Sequence, residues 1–137
     1  MNERNRNLIE RFYHDLWNQF DKSIIPALLA RDLYFRGSLG QEKHGHAAFG
    51  EYVDFVQRAF PDFQNHIEDI VSEGNRSFAR LTYTGTHQGE LFGIAPTGKR
   101  IEYAGAALFS FRGDRIASVW VLGDIYGLLQ KLEGRAD

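Results

Sequence analysis

The sequence has no cysteine, and only three of its 137 residues are proline. Without cysteine the chain has no disulfides, no thiolate nucleophile and no metal site with cysteine ligands. It also has no apolar run near the ~20 residues that a membrane-spanning helix needs. The charged beginning, MNERNRNLIERF, lacks the apolar core of a signal peptide. We therefore expect a soluble, cytoplasmic protein without a membrane partner.

An excess of charge of one sign is absent as well. The formal net charge is −2 and the lysines and arginines are scattered, whereas a nucleic-acid-binding surface needs a basic patch or stripe. The GxSxG, GxGxxG and P-loop motifs of serine hydrolases, dinucleotide enzymes and nucleotide enzymes do not occur. His14, His44 and His46 lack the spacing of a metal-ligand set. The sequence thus predicts no nucleic-acid partner, no cofactor of these classes and no metal.

The composition that is present fits one globular domain over residues 1–137. Hydrophobic residues make up 43% of the chain and charged residues 25%, which allows a substantial core at this length. Aromatic residues make up 14%, with eleven Phe and six Tyr. Rings in this number either fill the core or line a cavity, and the sequence leaves both interpretations open.

Hydrophobic periodicity predicts helices first and strands afterwards. Helical spacing covers Asn7–Phe20, a short segment near Pro26, His46–Phe60 and Ile125–Leu132. Alternation predicts strands over Leu33–Arg36, Gln64–Ser72, Ser77–Thr86, Arg100–Arg112 and Arg115–Leu122, with a loop from Ser38 to Gly45 and hairpin turns at Gly74 and Gly113. This order predicts an α+β domain whose helices cover the concave face of a curved antiparallel sheet, which can enclose a small-molecule cavity.

The last predicted strand ends beside a single acid, Asp124. Alternation places Ile116, Ser118, Trp120, Leu122 and Asp124 on one face, which we predict to be the interior. Burial raises the pKa of a carboxyl group and suits it to general acid/base catalysis near neutral pH. Alternatively, Asp124 caps the closing helix, because Asp is a favoured N-cap residue.

Five further side chains are candidates for substrate binding. Trp120 is interpreted as core or pocket wall, and His87 either orients a carbonyl group or stabilises its own loop. Arg36 and Arg80 either bind an enolate or ester oxygen or form surface ion pairs. His66 faces either the pocket or, as we favour, the solvent.

Two segments concern the surroundings of the site. The loop from Gln88 to Gly98 carries Phe92 between glycines, so it is either a lid over the cavity or a packed connection. On Arg100–Arg112 both alternating sets of residues are largely uncharged. A strand that is apolar on both sides must be covered on both sides, so we predict a homodimer packed through the sheet.

Five short motifs together resemble one family. They are FPDF at Phe60–Phe63, GTHxG at Gly85–Gly89, GxxPTGK at Gly93–Lys99, RIxxxW at Arg115–Trp120 and DxxGLLxxL at Asp124–Leu132. In this order and spacing they resemble the SnoaL-like polyketide cyclases, or ester cyclases, of the cone-shaped α+β superfamily named after nuclear transport factor 2 (NTF2-like). The resemblance covers most of the chain.

The resemblance implies an intramolecular aldol ring closure without a cofactor. In that reaction one carboxylate removes a proton from an activated methylene and returns a proton to a carbonyl, and Asp124 matches the position of that acid. Many relatives have Glu-His where this chain has Ser118 and Val119, and Gly105–Leu108 offers no polar side chain. A small, largely apolar carbonyl compound is the expected substrate. Epoxide hydrolysis and a non-catalytic ligand-binding module are the alternatives.

Overall fold

The computed structural model describes residues 2–134. The helices are α1 (Asn2–Glu10), a π-helical segment (Arg11–Trp17), a 3₁₀ turn (Lys22–Ile24), α2 (Ile25–Leu28), α3 (Gly45–Ala59) and α4 (Ile125–Leu132). The strands are β1 (Leu29–Arg36), β2 (Glu42–His44), β3 (Gln64–Glu73), β4 (Arg76–Thr86), β5 (Arg100–Arg112) and β6 (Arg115–Gly123). No helix among these residues is long and apolar enough to cross a membrane, and a cytoplasmic location stays a prediction.

The strands form one six-stranded sheet in the order β2-β1-β6-β5-β4-β3. The predicted hairpins are confirmed, because β3 pairs with β4 and β5 with β6, both antiparallel. Their turns hold Gly74 and Gly113 at φ of 59° and 64°, a left-handed conformation that glycine adopts without steric cost. The sheet is mixed rather than wholly antiparallel, since β1 runs parallel to β6. The short strand β2 lies within the segment predicted as a loop.

The first helix widens into a π-helix before it ends. The N–H of Asn18 donates to the carbonyl of Tyr13, five residues earlier, at 2.8 Å. Within this segment the adjacent residues Phe12 and Tyr13 are both buried, together with Leu16 and Trp17. Adjacent residues of a regular α-helix point about 100° apart, so the wider turn helps both rings to reach the core. The sequence predicted a helix here but not its π geometry.

A β-bulge at Ala117 changes which side chains of β6 point inward. Phe111 pairs with Ile116, but Ser110 pairs with Ser118, which leaves Ala117 as an extra residue. The inward side chains are therefore Ile116 before the bulge and Val119 and Val121 after it. The prediction that the face of Trp120, Leu122 and Asp124 is the interior is wrong, because the bulge shifts the alternation by one residue.

Two glycines make room for tyrosine rings on the inner side of the sheet. A methyl group on Gly105 would lie 2.3 Å from Cε2 of Tyr83, and one on Gly37 would lie 2.4 Å from the Tyr52 hydroxyl. Contacts this short are not tolerated between real atoms. Tyr52 and Tyr83 are each at most 3% exposed. Their rings can occupy these buried positions because the neighbouring residues are glycines.

We predict that Gly105→Ala destabilises the protein by about 1 to 3 kcal/mol, the usual cost of overpacking a core. Gly50→Ala is the matched control, because a methyl group there meets only Lys22 and Ile25 at 3.8 and 4.0 Å. Gly50 lies inside α3, where alanine is favoured over glycine by up to ~1 kcal/mol. Urea denaturation should therefore show opposite signs for the two variants, and equal effects would contradict the proposed packing.

Candidate functional site

A cavity lies between the concave face of the sheet and the helices that cover it. It contains about 390 Å³ of empty space, its open mouth included. The lining is mostly aromatic and combines side chains of the π-helical segment, α3 and strands β1, β4 and β5. The lining residues with polar side-chain groups are four tyrosines, Ser38, Asn65 and Trp17, which carries an indole N–H. The part wide enough for water is about 20 Å³, which is room for about one molecule, so a larger ligand requires side chains to move.

Four tyrosines contribute hydroxyl groups to this lining. The Tyr103 and Ser38 hydroxyls form a hydrogen bond of 3.0 Å, and Tyr52 also lies against Ser38 and the backbone of Leu39. Burial raises the pKa of Tyr13, Tyr52, Tyr83 and Tyr103. The hydroxyls are therefore neutral at physiological pH and can donate hydrogen bonds, but they cannot serve as bases.

The hydroxyls lie close enough to influence one another. Besides burial, the pKa of Tyr83 is raised by the unfavourable interaction of its charged form with Tyr13, Tyr103 and Tyr52. Tyr83 also packs against Tyr103, with ring centroids 4.9 Å apart. A ligand oxygen in this cavity would lie among aromatic rings, several of which carry a hydroxyl donor.

Asp124 lies at the surface, where it caps α4. One carboxylate oxygen accepts the N–H of Gly127 at 2.9 Å, as expected of an N-cap residue. The preceding residue, Gly123, packs against Ser38 and Tyr103, two residues of the cavity lining. The main chain of Asp124 thus follows a residue that lies against the cavity lining, while its carboxylate is directed towards the helix.

Four other predicted site residues lie outside the cavity lining. The Arg36 guanidinium lies 5.2 Å from the ring centroid of Trp120 and donates a hydrogen bond to the Val121 carbonyl. Trp120 itself is 42% exposed. Arg80 forms an exposed ion pair with an aspartate of β3 at 2.7 Å, and His66 is exposed on the same strand.

His87 is fully buried and holds the following loop together. Its Nδ1 accepts the backbone N–H of Thr97 at 3.2 Å and lies 3.0 Å from the Thr97 hydroxyl. Burial lowers the pKa of His87, although the Gly89 carbonyl and the Glu90 carboxylate act in the opposite direction. The geometry is that of a loop-stabilising residue.

Phe92 occupies the tip of this loop. It is 45% exposed and has a φ of 52°, while the adjacent Leu91 is buried and exchanges backbone hydrogen bonds with Ile94. The segment is a compact turn anchored in the core, and Phe92 does not line the cavity. A role as a lid requires movement and stays a prediction.

Sequence reasoning did not identify the tyrosines and Ser38 as site residues. Tyr83 and Tyr103 continue the inward alternation of Leu81 and Ile101, so the pattern indicated burial without distinguishing a cavity wall from core. The available signal was a glycine beside two of the rings: Gly37 leaves space for Tyr52 and Gly105 for Tyr83. The proximity of each glycine to its tyrosine becomes visible only when the elements are packed together.

The comparisons with known proteins agree with this architecture. A family model described as SnoaL-like polyketide cyclase matches residues 7–132. The chain belongs to this family. Membership supports a role of the cyclase or isomerase type, and the NTF2-like α+β fold predicted from the motifs is confirmed. A comparison with curated protein sequences gives no significant match.

Three solved structures illustrate the similarity. A candidate polyketide cyclase from Acidithiobacillus ferrooxidans is 23% identical, with a TM-score of 0.85 over 97% of this chain and 96% of its own. AclR, a candidate hydroxylase from Streptomyces galilaeus, is 29% identical, with a TM-score of 0.80 over 100% and 88%. IdmH, a candidate polyketide cyclase from Streptomyces antibioticus, is 26% identical, with a TM-score of 0.80 over 93% and 97%.

We predict that burial of His87 makes the protein less stable in mild acid. Because the pKa of His87 is lowered in the folded protein, the unfolded state binds more protons below about pH 6.5. The free energy of unfolding should then fall as the pH falls, by at most about 1.4 kcal/mol per pH unit from this residue.

Urea denaturation between pH 5 and pH 7 measures this effect. His87→Asn retains an acceptor for the Thr97 N–H but cannot titrate, so the fall in stability should be smaller. His66→Asn, at an exposed site on β3, is the control and should behave like the unaltered protein. An unchanged pH dependence in His87→Asn would refute the assignment.

Proposed function

We propose that the protein is a cofactor-independent acid/base enzyme of the cyclase or isomerase type, acting on a small, largely apolar carbonyl compound. The observation that carries this proposal is the convergence of neutral tyrosine hydroxyls in an otherwise aromatic cavity. Aromatic walls favour an apolar ligand body, and the hydroxyls provide donors for its oxygen. The family relationship supplies the class of reaction.

The cavity suits a reaction in which negative charge develops on oxygen. Removal of a proton from the carbon next to a carbonyl leaves an enolate, whose charge lies mainly on the oxygen. Fixed hydrogen-bond donors in a site shielded from water stabilise such a charge strongly. In an aldol ring closure the enolate carbon then attacks a second carbonyl of the same molecule, and the resulting alkoxide takes up a proton. Tyrosine donors would hold the first oxygen throughout.

Asp124 is the proposed base of this reaction. It follows Gly123, which lies against the lining residues Ser38 and Tyr103, and the described part of the cavity lining contains no carboxylate of its own. To act, its carboxylate must leave the N–H of Gly127 and turn towards the ligand. Epoxide hydrolysis gains no support, because it requires two acids and an arginine around one water.

A ligand-binding protein without catalysis is the second candidate. The observation in its favour is the position of Asp124, which is exposed and already serves as a helix cap. In that case the same cavity holds an apolar carbonyl compound without converting it.

Substitutions of Asp124 separate the two candidates. If Asp124 is the base, Asp124→Asn should reduce turnover by about 10²- to 10⁴-fold, since asparagine cannot exchange a proton. The amide can still cap α4, so stability should change little. Asp124→Ala removes the cap and should cost about 1 kcal/mol of stability.

Turnover is measured with candidate diketones on both variants. Urea denaturation of the same variants measures their stability. Binding measured on the same samples shows whether the cavity remains intact. Near-normal turnover by Asp124→Asn would remove Asp124 as the base. Binding of carbonyl compounds with no turnover by the unaltered protein would favour the second candidate.

We also propose a homodimer that forms through the outer face of the sheet. Phe78, Leu108 and Trp120 are cross-strand neighbours on this face, and Leu122 lies beside Ala106. Phe78, Trp120 and Leu122 are 43%, 42% and 53% exposed in the single chain. A contiguous apolar patch of this kind is typical of a protein interface.

We predict that Leu122→Glu converts the dimer into a monomer, because a buried unpaired carboxylate is unfavourable. Phe92→Glu is the matched control, since Phe92 is 45% exposed but lies on the loop outside the sheet. Analytical ultracentrifugation at micromolar concentration should find a dimer for the unaltered protein and the control. A monomer for the unaltered protein would contradict the proposal.

A further inference from the structure

The hydroxyl of Tyr13 differs from the Tyr52 and Tyr103 hydroxyls of the cavity. It is buried, and no group of residues 2–134 forms a hydrogen bond with it, whereas Tyr103 bonds to Ser38 and Tyr52 lies against the same hydroxyl. The Tyr13 side chain lines the cavity and is 2% exposed as a residue. A buried donor without a partner is unfavourable for the folded protein. Phenylalanine at this position would fill the same space without that cost.

The backbone also favours the inward position of Tyr13. Tyr13 lies in the π-helical segment, and its carbonyl accepts the N–H of Asn18, five residues later. Segments with this hydrogen-bond pattern are rare and occur frequently at functional sites. The helix geometry and the unpartnered hydroxyl are separate observations, and both concern the same residue.

The surroundings of Tyr13 restrict what can bond to it. Its ring packs edge-to-face against Phe12 and Phe109, with centroids 5.0 and 6.0 Å away. An acceptor at this place therefore meets a neutral donor, Tyr13, in a setting without charged side chains among the lining residues. A neutral ligand oxygen fits this setting better than a carboxylate or phosphate, whose desolvation would be far more costly.

We propose that Tyr13 is the specificity-determining residue of the cavity and that its hydroxyl donates a hydrogen bond to the carbonyl oxygen of a small alicyclic or aromatic ketone. This inference rests on the proposed function, because it assumes that the cavity is the ligand site. It adds two points to that function: which residue recognises the carbonyl oxygen, and to which chemical class the ligand belongs. A hydrocarbon of the same shape leaves the hydroxyl without a partner. If it displaces a water from the hydroxyl, the hydrogen bond to that water is lost and not replaced.

Cyclohexanone and methylenecyclohexane provide the test, because they have nearly the same shape and only the ketone has an oxygen acceptor. Binding of each probe is measured by NMR titration of the unaltered protein and of Tyr13→Phe. We expect the variant to bind cyclohexanone roughly three- to tenfold more weakly, the usual effect of one hydrogen bond, and methylenecyclohexane equally well. The free variant should have an unchanged or higher melting temperature, because its buried hydroxyl is gone.

Tyr126→Phe is the control, since Tyr126 is 71% exposed and its hydroxyl contacts only Gln130 of the same helix among the described hydrogen bonds. It should leave the affinity for both probes unchanged. Equal loss of affinity for both probes in Tyr13→Phe, or no loss for cyclohexanone, would overturn the assignment to Tyr13 while the cavity stayed a ligand site. Failure of both probes to bind the unaltered protein would overturn the ligand site itself and this inference with it.

Discussion

The burial of the Phe12 ring joins the first helix to the rest of the protein. Its centroid lies 5.5 Å from that of Phe109 on β5, 6.0 Å from Phe49 on α3 and 6.4 Å from Phe35 on β1. Aromatic pairs at these distances contribute beyond the area that they bury. The next residue, Tyr13, also points inward from the π-helical segment that begins at Arg11. The cavity is thus formed by the same packing that closes the core.

Much of the fold could be predicted because the signals were local. Helix α4 begins and ends at the predicted residues, and the hairpins follow glycines that the turns require. The bulge at Ala117 could not be predicted from alternation, since a bulge is defined by the partner strand and leaves no mark in the sequence of its own strand. That one residue decided whether Trp120 or Val121 faced the interior. The parallel pairing of β1 with β6 was missed for a similar reason, because it depends on contacts distant in the chain.

The candidate site was less accessible to sequence reasoning than the fold. Asp124 could be found in the sequence because it lies in a motif and immediately before a predicted helix. Its position before the helix is also what makes it an N-cap residue. The tyrosines belong to four separate elements and share no motif. Two of them occupy a space left by glycine, at Gly37 for Tyr52 and at Gly105 for Tyr83. Such a property can be recognised only in three dimensions.

The electrostatic state of the tyrosines limits how pH can act on the proposed chemistry. Burial raises the pKa of Tyr13, Tyr83 and Tyr103 above the ordinary value of 10.0, so these hydroxyls keep their protons from about pH 5 to about pH 9. The hydrogen-bond donors of the cavity are therefore the same throughout this range. A change of turnover with pH inside it must arise from the base, from the substrate or from the stability of the fold. Comparing the pH dependence of turnover with that of unfolding distinguishes the third source from the first two, because His87 affects stability without lining the cavity.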